Sequence, residues 1–222
     1  MGLVLILPLA MYLYFFRRVR TNDSHVPSSD GPQGGKLSLA FWITWTGFIA
    51  TIGTEFATSF WAAALVRDRT NATAAISTIA IIALGLGMAI GRFFGGRALH
   101  RFIPDHQLLI CLGVQMFGFF GIWLSHTLAI SLLMLLITGL GISMQFALTS
   151  LRMIDHSDGR PELAIGNSSL AAGLAIAGAP FLLGVLGDNY GISRAYMMVP
   201  VMILIAAAIV VLVPAKNLKQ DA

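Results

Sequence analysis

The sequence predicts an all-α polytopic membrane protein: a bundle of six spanning helices built as two inverted three-helix repeats, preceded by a short extra apolar helix. Three observations predict it. Between Leu37 and Val213, six apolar stretches of spanning length follow one another. The connectors between them, with the outermost residues of the spans, hold all but one of that region's formally charged residues. The chain is 57% hydrophobic and only 11% charged, with a mean hydropathy of +0.81, which excludes an ordinary soluble domain. A bilayer core offers no water to backbone N–H and C=O groups, and roughly 20 residues of apolar helix satisfy them internally. The runs are continuous and lack the alternation of a spanning β-strand, which argues against a barrel.

Taken in order, residues 1–16 form a partial or short transmembrane helix. Met1–Phe16 is apolar and contains Pro8, and as a helix it would reach roughly 24 Å against a hydrocarbon core of about 30 Å. Arg17, Arg18 and Arg20 follow the apolar run instead of preceding it, the reverse of a secretory signal peptide. The segment reads either as the latter part of a spanning helix or as a short helix with its N-terminus outside. Residues 17–36 form a flexible cytoplasmic linker, rich in Ser, Pro, Gly, Asn and Asp between Thr21 and Gly35. Residues 37–213 form the bundle, with helices expected at Leu37–Val66, Thr73–Phe94, Leu108–Leu124, Leu128–Ser150, Ala164–Leu186 and Ala195–Val213. Residues 214–222 are a tail.

The cations orient the bundle. One set of loops carries Arg17, Arg18, Arg20, Lys36, Arg92, Arg97, Arg101, Arg152, Arg160, Lys216 and Lys219, whereas the other carries Arg67, Arg69 and Arg194. The positive-inside rule places the first set, and with it the C-terminal tail, in the cytoplasm of a cell bounded by a plasma or bacterial inner membrane. The net charge of +4 and pI near 9.6 therefore describe topology, and these short loops make no basic face for nucleic acid. The sole cysteine, Cys111, sits in an apolar run and reads as a small buried hydrophobe. His25, His100, His106, His126 and His156 fall in predicted loops without metal-ligand spacing, and Asp155-His156-Ser157-Asp158 reads as a solvated turn. No Gly-x-x-x-x-Gly-Lys phosphate loop is present, which argues against ATP-driven transport by this chain, and no cofactor is indicated. Asn71-Ala72-Thr73 fits a glycosylation sequon but hugs the membrane.

The spans divide into two groups of three near His126. A three-helix unit ends on the side opposite its start, so the second unit is inverted, a transporter signature. The run Gly87-Met-Ala-Ile-Gly91-Arg92-Phe-Phe-Gly95-Gly96-Arg97-Ala98-Leu99-His100-Arg101-Phe102 resembles the loop between helices eight and nine of the major facilitator superfamily. Gly178-Ala179-Pro180 with Gly184, Asp188 and Gly191 is similar to that family's eleventh helix and following loop, and Gly53-Thr54-Glu55 with Phe60-Trp61 resembles the seventh helix of sugar-permease-like members. The resemblance implies the C-terminal six of the usual twelve helices, with Met1–Phe16 standing at the end of helix six. It also implies two bundles rocking about a midplane site, so one bundle supplies one wall and needs an N-terminal half-transporter or a second copy of itself. Two departures matter: where the family's loop has an acidic residue before its Arg, this chain has His100, and a neutral imidazole cannot serve in a latching charge network; the larger is that the family's N-terminal half is missing.

Glu55 is the strongest candidate for chemistry, as the one formal charge well inside a predicted span. A carboxylate there is tolerated only when paired or neutralised, so it can take up and release a proton during transport. At helical spacing it shares a polar, small-residue face with Gly47, Thr51, Thr58, Ser59 and Ala62. Thr51, Thr58 and Ser59, together with Thr138 and Gln145 on the fourth span, complete an expected solute and proton pathway. Ser143, Asn167, Ser168 and Ser169 offer further hydrogen bonds, although such groups also glue helices together. Gln115 is expected to be peripheral, by the resemblance. Arg92, Gly96, Arg97 and Arg101 read either as a cytoplasmic gate or as snorkelling, topology-setting cations. Gly87, Gly91 and Gly95 form a close-packing face, which Ser169, Gly173 and Ala177 repeat on the fifth span. Pro180 permits a bend, and Trp42, Trp61 and Trp123 read as interfacial anchors.

The function expected is transmembrane transport of a small solute by a secondary, alternating-access mechanism, with Glu55 as the candidate proton carrier and no enzymatic role. The alternative is a truncated, non-transporting membrane remnant or interaction protein. A membrane-embedded enzyme would require clustered polar residues at one depth, where the sequence offers Glu55 alone.

Overall fold

The computed structural model describes residues 36–215. The predicted N-terminal helix 1–16, nearly all of the linker and the tail beyond Ala215 lie outside the described residues. Among those described, every regular element is a helix, and six are long and apolar enough to cross a membrane: Leu39–Thr70, Ala74–Leu99, Pro104–Leu124, Leu128–Asp155, Pro161–Tyr190 and Ile192–Leu212. These are the first to sixth spans below.

Most spans run past the apolar stretch that announces them. Hydropathy marks only the hydrocarbon-embedded part, whereas backbone hydrogen bonding continues until a cap stops it. Ser38 Oγ accepts from Phe41 N at 3.4 Å to start the first span, and Asn71, left-handed at φ 54°, ends it after the charged Arg67-Asp68-Arg69 turn. Pro104 and Pro161 open the third and fifth spans, where a missing N–H removes no helical bond. Gly191, at φ 82°, closes the fifth, a backbone conformation that a side chain would strain.

Three spans are interrupted, the sixth at Tyr196 and Met197, between Ile192–Ala195 and Met198–Leu212. In the second, Thr78 separates Ala74–Ser77 from Ile79–Leu99, with the Ser77 and Thr78 hydroxyls both donating back to the Ala74 carbonyl at 3.1 and 2.9 Å. Such back-bonding loosens a helix turn. In the fourth, Ser143 and Met144 separate Leu128–Ile142 from Gln145–Asp155.

The first span packs chiefly on the fifth and sixth, and the fourth chiefly on the second and third. Missing side chains set the second seam. A Cβ at Gly87 would lie 2.0 Å from the Leu136 carbonyl oxygen, one at Gly139 would lie 2.2 Å from the Leu84 oxygen, and one at Gly91 would lie 2.2 Å from Ser143 Oγ. The Gly87, Gly91 and Gly95 face is thus a close-packing face, as its spacing predicts. Its expected repeat on the fifth span is not: Ser169, Gly173 and Ala177 are exposed, and nothing lies within 4 Å of a Cβ at Gly173. The fifth span instead seats Ala164, Ala171, Ala175, Ala179 and Leu183 inward. Both faces are small, so size alone could not choose between them.

Tryptophans fasten seams as well as marking interfaces. The indole N–H of Trp61 donates to the Pro180 carbonyl at 3.0 Å and that of Trp45 to the Asn167 carbonyl at 2.9 Å, joining first and fifth spans. Trp123 donates to the Ser193 carbonyl at 3.0 Å, joining third and sixth.

Arg152, expected in a loop, stands in the last turn of the fourth span and is 1% exposed. It pairs with the buried Asp105 at the start of the third span and donates from Nη2 to the Val213 carbonyl at 2.7 Å, while Asp105 Oδ2 accepts from Ala215 N at 2.9 Å. One ion pair therefore pins the ends of three spans. The neighbouring turn is not solvated as expected: His156 and Ser157 are buried, with His156 Nδ1 2.9 Å from the Arg152 carbonyl. Packing of the Arg152 turn against the bundle draws His156 and Ser157 inward, while Asp158 stays exposed.

Candidate functional site

The first and fourth spans are central, and the second and fifth flank them on one side. Where these four meet lies an open cleft of about 380 Å³, lined by Ile52, Glu55 and Phe56 from the first span, Arg92 from the second, Ser143, Phe146 and Ala147 from the fourth, and Ala172 and Ile176 from the fifth. Ile52, Glu55 and Phe56 fall on one helix face by their spacing, and the two alanines leave the opposite wall low. A second open cleft, of about 580 Å³, is lined by Phe60, Trp61 and Arg67 of the first span, Ala74 and Ser77 of the second and Pro180 and Phe181 of the fifth.

Glu55 is not alone in its span's environment. Arg92 Nη2 stands 3.9 Å from Glu55 Oε1, and Arg92 Nε donates to the Ser143 carbonyl at 3.4 Å, in the break of the fourth span. The glutamate side chain is 13% exposed and the arginine side chain 60%, so the charge offered to the cleft is mainly positive. Arg92 was expected at the helix end with the other gate residues. It lies about two turns before that end at Leu99 and reaches sideways into the bundle. Gly96, Arg97 and Arg101 remain at the end, exposed, and neither arginine forms an ion pair among the described residues.

The expected polar stripe on the first span divides. Thr51 and Thr58 are buried at 1% and 3% exposure, on the flank that meets the sixth span. There Gly47 packs against Ile209, Thr51 Oγ1 donates to the Gly47 carbonyl at 2.8 Å, and Tyr196 OH donates to the Thr58 carbonyl at 3.2 Å. Glu55 sits on the other edge of the same arc and faces the cleft, with Ser59 half-buried one turn along. A 3.6-residue period groups these side chains, but only the position of the sixth span decides which are covered.

Thr138 and Gln145 also stand away from the cleft. Thr138 Oγ1 donates to the Met134 carbonyl at 2.8 Å and packs where a Cβ at Gly118 would lie 2.4 Å from it. Gln145 Nε2 donates to Gln115 Oε1 at 2.8 Å, Gln115 Nε2 donates to Thr54 Oγ1 at 3.0 Å, and Thr54 Oγ1 donates to the Thr51 carbonyl at 2.8 Å. This chain of hydrogen bonds ties the fourth, third and first spans. Gln115, expected to be peripheral, is fully buried at its centre. The cost of an unpaired amide in an apolar span was the signal that could have found it. Asn167, Ser168 and Ser169 donate to carbonyls of their own helix, at Leu163 and Ile165.

The cleft thus presents a carboxylate and a guanidinium between apolar walls, the carboxylate largely shielded from water and the guanidinium largely open to it. No family model matches the chain, and no curated protein sequence matches it.

Proposed function

We propose that residues 37–213 form one six-span half of a secondary transporter of the major facilitator type, moving a small solute across a cell membrane by alternating access. The observation that carries the reading is the packing scheme. Exchange the first span with the fourth, the second with the fifth and the third with the sixth, and each principal seam maps onto another: first–fifth onto fourth–second, and first–sixth onto fourth–third. The third–sixth and first–fourth contacts map onto themselves. Two three-helix repeats related by a two-fold axis pack in this way, and because each repeat has an odd number of spans, that axis lies in the membrane plane. The cleft forms where the first, fourth, second and fifth spans meet, a set closed under the same exchange. The resemblance of the segments around Gly87–Phe102, Gly178–Gly191 and Glu55 to helices seven to eleven of that family supports the same conclusion.

The opposing wall is supplied by another six-span bundle, an N-terminal half or a second copy, and Glu55 carries the coupling proton. Glu55→Gln keeps shape and some hydrogen bonding while removing the titration. In proteoliposomes carrying the complete assembly, it should abolish uphill uptake driven by an imposed pH gradient, across a panel of radiolabelled small solutes, and spare downhill exchange. Unimpaired uphill uptake by this variant would remove the proton-carrier role, and no uptake by the wild-type assembly would sink the transporter reading itself.

Orientation is checked separately. With Cys111→Ala as background, Glu162→Cys at the start of the fifth span should resist an impermeant maleimide added to intact cells, whereas Asn189→Cys near its end should be labelled. Both positions are exposed. The opposite pattern would invert the topology, against the distribution of cations.

A further inference from the structure

We propose that the cleft between Glu55 and Arg92 binds a small organic anion, its carboxylate taken by the Arg92 guanidinium and its apolar body resting against Phe56 and Phe146. This names the solute class of the cleft and rests on the half-transporter reading for the cleft being a solute site.

Three features of the geometry point to it. The first is an arginine whose hydrogen-bonding capacity is largely unspent among the described residues. A guanidinium presents five N–H donors in a planar fork suited to a carboxylate. Arg92 engages one of them with the Ser143 carbonyl at 3.4 Å and stands 3.9 Å from Glu55, whereas hydrogen-bonded pairs of such ions close to about 2.7–2.9 Å. The second is the asymmetry of exposure: the cation is 60% exposed and the anion 13%, so an entering ligand meets positive charge first. The third is the wall. Beyond these two charges the lining offers Ile52, Phe56, Phe146, Ala147, Ala172 and Ile176, with Ser143 at the break. An inorganic ion would leave that surface wetted, while a carboxylate carrying a compact apolar group covers it. A space of this size fits a small molecule.

Arg92 also stands about two turns inside Leu99 and is turned toward the first and fourth spans. The arginines at the helix end, Arg97 and Arg101, are better placed for headgroups. Glu55 then acts as an internal competitor, because it and the ligand present carboxylates to one guanidinium. Removing its charge frees Arg92 for the ligand.

The test is equilibrium binding to the full chain in a maltoside detergent, which carries no phosphate, followed by thermal unfolding. Benzoate should raise the midpoint by about 3–6 °C at roughly tenfold above its Kd, and benzamide, benzylamine and inorganic phosphate should not. Arg92→Gln should lose the benzoate shift, and Arg92→Lys, which keeps the charge without the fork, should weaken it. Glu55→Gln should bind benzoate several-fold more tightly. Equal shifts from benzamide or phosphate, an undiminished shift in Arg92→Gln, or unchanged or weaker binding by Glu55→Gln would overturn the proposal. Should Arg92→Gln not fold, the wild-type selectivity and the Arg92→Lys variant decide it. Benzoate binding without any solute uptake by the complete assembly would refute the transporter reading and leave the anion site standing, and transport without benzoate binding would do the reverse.

Discussion

Arg152→Met is expected to destabilise the bundle by about 3–5 kcal/mol, because it strands a buried carboxylate. Asp105 is 6% exposed and, among the described residues, keeps only the Ala215 N–H once the guanidinium is gone. The Val213 carbonyl loses its Arg152 partner at the same time. Thermal unfolding in detergent, followed by circular dichroism or light scattering, reads the loss. The diagnostic is the paired change: Arg152→Met with Asp105→Leu should recover most of the stability, since two apolar side chains in place of a buried ion pair avoid its desolvation. If the double variant is as unstable as the single one, the ends of the third, fourth and sixth spans are held by something other than this charge pair.

Gly87→Leu should cost about 3 kcal/mol or more. Its Cβ would stand 2.0 Å from the Leu136 carbonyl oxygen and 3.1 Å from the Gly139 Cα, so the obstruction is backbone and cannot swing aside. The second and fourth spans would have to part along their whole seam, taking the Gly139 and Gly91 contacts with them. Gly113→Leu is the matched control, in a span of the same kind but with nothing within 4 Å of its Cβ. A comparable loss of midpoint from both substitutions would show that leucine perturbs these helices generally, and the close approach would not be what holds this seam.

The six spans were legible because a twenty-residue apolar run in so uncharged a chain has few other fates. What hydropathy could not show was where helices continue beyond hydrocarbon, as at Arg67-Asp68-Arg69 and Asp188-Asn189-Tyr190, or where they break without proline, as at Ser143–Met144. Charge misled twice in the same way. Arg92 and Arg152 read as loop cations because an ion is costly in a span, yet each has a partner in Glu55 or Asp105 that only folding supplies. Polar neutral residues were underread for the converse reason. Gln115 looked peripheral, although an amide in an apolar helix has to find partners, and it finds them in Gln145 and Thr54. Glu55 is legible in the sequence as a charge inside a span, but the split between it and Thr51 is a property of where the sixth span lies.

The indole hydrogen bonds give the bundle its own optical gauge. Of the four tryptophans in the chain, Trp45 and Trp61 each donate to a carbonyl across the first–fifth seam, and Trp123 donates across the third–sixth seam. An indole that loses such a partner to water emits at longer wavelength, so separation of the first and fifth spans would appear as a red shift in intrinsic fluorescence. Replacing Trp123 by phenylalanine would simplify that signal, because among the described residues Trp42 donates no hydrogen bond across either seam and responds only through its ring contact with Trp45. Opening of the seam beside the Glu55 cleft is therefore visible in the unlabelled protein, by light alone.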